Sequence, residues 1–159
     1  VTAVDFSPIM LERAARAGPL DGITFTQGDA QALTGLESGA FGAVVCAFGV
    51  LHLESPQRFF KEAFRVLRPG GRLAFSVWAA PPANQGFQIT LDAISAHGVE
   101  VALPPGTAFF HFSDPGNVAE ALRGAGFEGA RTFQHPMALR LDDPRDLWVM
   151  MREGTARTR

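Results

Sequence analysis

Residues 41–50, Phe-Gly-Ala-Val-Val-Cys-Ala-Phe-Gly-Val, form a nearly continuous apolar run without a charged side chain. Strands with one face in water alternate apolar and polar residues, so an unbroken run predicts a central parallel strand covered on both faces. Segments of helical period surround it. Ser7-Pro8 and Ser55-Pro56 each combine an N-cap side chain with proline at the first helical position. The first opens a helix over about Pro8–Arg16, stopped by Gly18-Pro19. The second opens a helix with Phe59, Phe60, Ala63, Phe64 and Leu67 on one stripe, ended by Arg68-Pro69-Gly70-Gly71. Short apolar runs at Val1–Val4, about 23–27 and about 72–78 read as further strands. Alternating strands and helices predict an α/β chain with a mostly parallel sheet and helices on both faces.

The rest of the chain is less regular. A helix is expected through Ile89, Leu91, Ile94 and His97, followed by a Pro104-Pro105-Gly106 loop and Phe109-Phe110-His111-Phe112. Ser113-Asp114-Pro115 marks another helix start and Gly124-Ala125-Gly126 its end. A strand at about 128–141 and a last helix from about Pro144 are then expected. The 159 residues read as one domain with a core at 1–79, a substrate-capping insertion at 80–112 and a helix-strand-helix at 113–159.

Composition removes several function classes. Sixteen acidic and 14 basic side chains give a formal charge of -2, without the basic stripe that phosphate-backbone binding requires. No apolar run reaches 18 residues, and the start of the chain shows no basic leader with a small-residue cleavage site, so no membrane contact and a cytoplasmic location are expected. Cys46 is the single cysteine, and His52, His97, His111 and His135 are scattered, which argues against a metal site.

Open parallel sheets bind ligands at the carboxyl ends of their strands, which directs attention to Asp5, to Gly28-Asp29-Ala30 and to residues 47–53. An acid ending a strand, as Asp5 does, can accept hydrogen bonds from both hydroxyls of a ribose. It can equally serve the turn or the dipole of the following helix. Asp29 could accept from an exocyclic amine, though Gly-Asp also marks ordinary turns. Met10 and Leu11 could wall a purine or fill the core. Phe87, Phe109, Phe110 and Phe112 either enclose an apolar acceptor or close the core.

Taken as a set, Asp5-Phe6-Ser7-Pro8-Ile9-Met10-Leu11, Gln27-Gly28-Asp29-Ala30, Phe41-Gly42-Ala43-Val44-Val45 running to Leu51-His52, and Leu67-Arg68-Pro69-Gly70-Gly71-Arg72-Leu73 resemble the class I S-adenosylmethionine-dependent methyltransferases. The likeness is to the small-molecule group that includes the ubiquinone/menaquinone-biosynthesis type, and it is strong over about residues 1–78. It implies a Rossmann-like methyltransferase fold, S-adenosylmethionine as cofactor, and methyl transfer to a small-molecule acceptor, which the four phenylalanines of the 80–112 insertion suggest is apolar or aromatic. By the same resemblance Asp5 would bind the ribose, with Ser7 beside it, and Phe6 and Met10 would pack on the adenine. Gly28 and Asp29 would lie near the adenine amino group, and the Ala30 backbone would meet the ring. Ala47, Phe48 and Gly49 would border the methionine part. His52, in the same loop, is a candidate general base, with a structural histidine as the alternative.

The pattern departs from the family in one place. A glycine-rich loop is expected about twenty residues before the ribose-binding acid, yet four residues precede Asp5. The resemblance therefore implies a sheet incomplete at both ends, with its central strand upstream of Val1 and a further edge strand after Arg159. Unpaired edges of that kind predict self-association or poor solubility. A non-catalytic methyltransferase-like module that binds a partner is the alternative. A short-chain dehydrogenase shares the strand-end acid, but its Tyr-Lys pair is impossible in a chain with no Tyr, whose single lysine is Lys61.

Overall fold

The computed structural model describes residues 1–18, 21–98 and 106–153. Pro19 of the expected helix stop and Pro104-Pro105 of the expected loop lie outside the described residues. In chain order the elements are β1 (Thr2–Asp5), α1 (Pro8–Arg16), β2 (Thr24–Gln27), β3 (Phe41–Ala47), α2 (Pro56–Val66), β4 (Leu67–Ser76), α3 (Gln85–His97), α4 (Pro115–Gly124) and α5 (Pro144–Glu153). Short 3-10 turns occupy Val50–His52 and His111–Ser113. The chain divides into two compact units. The first comprises Val1–Val45, Ser55–Ala74 and Ala121–Glu128, and the second Cys46–Glu54, Phe75–Glu120 and the chain from Gly129.

In the first unit, β1 and β2 pair in parallel with Thr2 opposite Thr24 and Asp5 opposite Gln27. Ser7 caps α1 as expected, its side chain accepting from the Met10 N–H at 3.3 Å. β3 pairs with β4. The two run in the same direction, because the Gly39 N–H donates to the Arg65 carbonyl at one end and the Phe48 N–H to the Ser76 carbonyl at the other. α2 buries Phe59, Phe60, Ala63 and Val66, and Phe60 is fully enclosed. Phe64, expected on that stripe, is half exposed, with its ring edge-on to Phe127 at 5.1 Å. Gly126 faces the same ring at φ +101°, a backbone conformation that favours glycine, and a Cβ there would lie 3.0 Å from Phe64 Cζ and push that half-exposed ring aside.

The long apolar run is a shorter and less covered strand than its sequence predicts. β3 stops at Ala47, Val45 is 75% exposed, and β4 is its single strand neighbour among the described residues. Apolar content records what a strand is suited to lie against, whereas coverage depends on other segments being present. The α/β class holds, but the expected single sheet is two separate strand pairs, β1-β2 and β3-β4. The turn expected at Arg68-Pro69-Gly70-Gly71 lies inside β4, since Leu67 is already extended at ψ 135° ahead of the Arg68-Pro69 pair. Residues 128–141 carry no strand. Residues 128–140 are exposed, and Pro136 removes an N–H from the middle of the segment. In the second unit Val50, Leu51, Phe112 and Val118 are buried.

Candidate functional site

Two groups of candidate residues lie at strand ends, one in each unit. In the first, the parallel register sets Asp5 and the Gly28-Asp29 pair at the same carboxyl edge of β1-β2. The Gly28 N–H donates to the Asp5 carbonyl at 3.0 Å, which continues the ladder one step beyond β2. The Ser7 N–H donates to Asp5 Oδ1 at 2.8 Å, so the turn role open to this aspartate is realised. That bond uses one oxygen. Oδ2 receives no hydrogen bond among the described residues, and a carboxylate oxygen there can accept from a hydroxyl pair. Gln27 Nε2 donates to the Phe6 carbonyl at 3.1 Å, fixing the backbone that carries the Phe6 ring. Phe6 is 78% and Met10 52% exposed, so neither fills the core.

At the end of β2, Asp29 makes the same kind of turn, Oδ1 accepting from the Gln31 N–H at 2.8 Å, while its carbonyl accepts from the Ala32 N–H at 2.9 Å. The Ala30 N–H inside this turn donates to none of the described residues. It is a donor suited to a ring nitrogen beside an acceptor suited to an amine. Below the turn, Arg65 donates to the Leu33 carbonyl at 3.0 Å and to the Leu36 carbonyl at 2.9 Å. Glu62 accepts from the Leu33 N–H at 2.8 Å. The hydrogen bond from Arg65 holds the Glu62 carboxyl below its ordinary value. These donors and acceptors fit an adenosine: a carboxylate for its ribose, an acceptor and a donor for the adenine edge, and exposed apolar surface for its faces.

In the second unit, the chain leaves β3 through Phe48, which sits at φ +53°, a conformation uncommon for a residue with a Cβ. Its N–H is held by the Ser76 carbonyl at 3.1 Å and Ser76 Oγ at 3.2 Å, and its ring stacks on Trp78 at 4.4 Å. Space at Gly49 is tight, because a Cβ there would lie 2.8 Å from Cys46 Sγ and one of the two would have to shift. Burial pushes the Cys46 thiol up, against hydrogen bonds from the Gly49 and Val50 backbone, so it is no thiolate nucleophile at neutral pH. Ala47 is exposed at the end of the strand.

Beyond this loop the rings form a series. Trp78 meets Phe87 at 5.9 Å, Phe87 meets Phe109 and Phe110 at 5.3 Å each, and Phe109 meets Phe110 at 4.9 Å. The exposed His52 ring stands edge-on to Phe109 at 6.5 Å. The two readings of the four phenylalanines therefore divide. Phe87, Phe109 and Phe110 are half-buried members of this cluster, while Phe112 is 3% exposed and packs in the core against Phe75. Sequence reasoning missed Trp78 and Gln31. Trp78 lies two residues beyond the end of β4, so the strand-end rule that selected Asp5 also reaches it. Among the described residues no group of His, Cys, Asp or Glu is arranged to hold a metal, and no helix is long and apolar enough to cross a membrane.

Residues 1–75 match the family model described as a methyltransferase domain. The demethylmenaquinone methyltransferase of Clavibacter sepedonicus is 30% identical over 139 residues, covering 80% of this chain and 56% of that protein. The ubiquinone/menaquinone biosynthesis C-methyltransferase UbiE of Roseobacter denitrificans is 31% identical over 144 residues, covering 82% and 57%. The chain thus spans about half the length of the curated relatives it matches. An S-adenosylmethionine-dependent methyltransferase of Thermotoga maritima shares the fold with a TM-score of 0.57 at 22% identity, covering 79% of this chain and 54% of that one.

Proposed function

We propose that the chain is a class I S-adenosylmethionine-dependent methyltransferase and that it serves methyl transfer from S-adenosylmethionine to a small aromatic or apolar acceptor, a reading supported by the methyltransferase-domain match over residues 1–75 and by the quinone methyltransferase relatives. One observation carries the reading: two strand-end carboxylates, Asp5 and Asp29, emerge at one edge of a parallel strand pair, each with a lone pair that no described residue uses. In this reading Asp5 holds the ribose hydroxyls, with its orientation set by Ser7. Asp29 and the Ala30 N–H take the adenine edge, Gly28 carries the turn, and Phe6 and Met10 cover the ring. Ala47, Phe48 and Gly49 border the methionine portion. A bound S-adenosylmethionine supplies a methyl carbon already activated by its sulfonium. The protein's contribution is then alignment and exclusion of water rather than a dedicated triad.

The aromatic series of Trp78, Phe87, Phe109 and Phe110 supports a planar or apolar acceptor, held by ring contacts rather than by charge. His52, beside Phe109, is the candidate to receive the proton that the acceptor loses, on an imidazole nitrogen. A cytoplasmic setting belongs to the same proposal. So does self-association, supported by the exposed Val45 and by β3's lack of a second strand neighbour among the described residues, and contradicted by a monomer across a concentration series in sedimentation. Calorimetric titration with S-adenosylhomocysteine, with NAD as control, tests the central claim. Binding of the first and not the second is expected. Equal binding of NAD, or binding of neither, counts against it.

A further inference from the structure

Gln31 stands between two groups of opposite character. Its Oε1 accepts from the Ser55 N–H at 2.6 Å, at the start of α2, and its Nε2 donates to the Asp29 carboxylate, 3.2 Å from Oδ1 and 3.4 Å from Oδ2. A backbone N–H can only donate and an ionised carboxylate can only accept, so the bridging side chain must offer an acceptor to one and a donor to the other. A side-chain amide does both, and this pairing fixes which end of it is oxygen. All three residues lie in the first unit.

The bridge does something the turn at Asp29 does not. The Gln31 N–H alone anchors Oδ1 and leaves the carboxylate free to rotate about its own axis. The side-chain amide of the same residue adds a second anchor, itself tied from outside the turn by the Ser55 N–H at the start of helix α2. That helix also grips the segment downstream through Glu62 and Arg65. A carboxylate held from two directions presents its remaining lone pairs in one orientation before any ligand arrives, which lowers the cost of ordering it on binding.

We propose that Gln31 is a positioning residue that aims the Asp29 carboxylate at the exocyclic amine of adenine and so sets selectivity for adenosine over nucleosides lacking that amine. The inference rests on the reading of Asp5 and Asp29 as the adenosine site. It assigns Gln31 no contact with the ligand.

The test compares two probes on the full chain by calorimetry: S-adenosylhomocysteine and its 6-deamino purine analogue. Wild type is expected to prefer the adenine compound by about tenfold or more. Gln31→Met removes both ends of the bridge. Gln31→Glu keeps an acceptor for the Ser55 N–H but replaces the donor by a second carboxylate facing Asp29. Both variants are expected to lose most of the preference, with the analogue's affinity within about threefold of wild type. A preference retained in Gln31→Glu would assign Gln31 to the Ser55 tie alone and overturn the proposal. Equal losses for the two probes, the mark of a purely structural role, would overturn it as well. A wild type that binds neither probe refutes the adenosine-site reading itself, before any substitution is made.

Discussion

Replacing Asp5 by asparagine separates the two duties of this side chain. The Ser7 N–H is a donor held 2.8 Å from Oδ1, so the amide oxygen must take that place and the amide nitrogen then occupies the position of Oδ2. The turn survives, while the oxygen unused by any described residue becomes an N–H₂ group with no lone pair to offer. A hydrogen bond from a hydroxyl to an ionised carboxylate contributes about 1.5–3 kcal/mol. Loss of one therefore weakens S-adenosylhomocysteine binding by roughly ten- to 150-fold, and loss of two by more. Stability should barely change, because the bond that orders the turn is retained. Asp5→Ala removes the turn bond too, and should add to the binding loss a drop in Tm of a few degrees, at about 2–4 °C per kcal/mol for a chain of this size. Calorimetric titration and thermal melts by circular dichroism read the two effects independently. An asparagine variant that binds as tightly as wild type would show that the carboxylate serves the turn alone, and the ribose assignment would fall.

Other substitutions test the packing and the electrostatics. Phe60→Ala empties a fully enclosed position on α2 and should cost about 3–5 kcal/mol, seen as a large fall in Tm or in the denaturant midpoint; a loss under about 1 kcal/mol would mean that the site collapses or is not core. Gly49→Ala puts a Cβ against Cys46 Sγ and should destabilise by about 1–3 kcal/mol, most of it recovered in Gly49→Ala/Cys46→Ala. Additive effects in the double variant would refute the contact. Glu62 has a folded pKa below its ordinary value of 4.5, chiefly through its hydrogen bond from Arg65. Its contribution to stability is therefore fully present above that value and lost as pH falls through the lower, folded one. Glu62→Gln should flatten the acid limb of the stability profile, and an unchanged limb would place the acid sensitivity elsewhere.

How far the sequence reached can be judged element by element. α1 is bounded by Ser7-Pro8, a cap and a proline that act within one turn, and its observed limits agree with the expected ones. α4 starts at Asp114-Pro115 for the same reason, Asp114 Oδ1 accepting from the Asn117 N–H at 3.0 Å, whereas at α2 the proline Pro56 marks the start and the expected Ser55 side-chain cap makes no hydrogen bond to the helix. Asp5 and Asp29 were legible as strand-end acids because a strand's end is marked locally, by the switch from apolar residues to turn residues. The strand expected at 128–141 failed because a strand exists only against a partner, and no local pattern supplies one.

Local chemistry, then, was determined by the sequence itself: which segments are helical, where they begin, and which side chains stand at strand ends, since caps, prolines and apolar period act over a few bonds. Only the tertiary structure decided what depends on residues far apart in the chain. It exposed Val45, divided the four phenylalanines between ring cluster and core, placed Trp78 among them, and set Gln31 between Ser55 and Asp29. Each of these is a matter of distance across the fold, and composition and periodicity carry no information about which distant groups come within a hydrogen bond of one another.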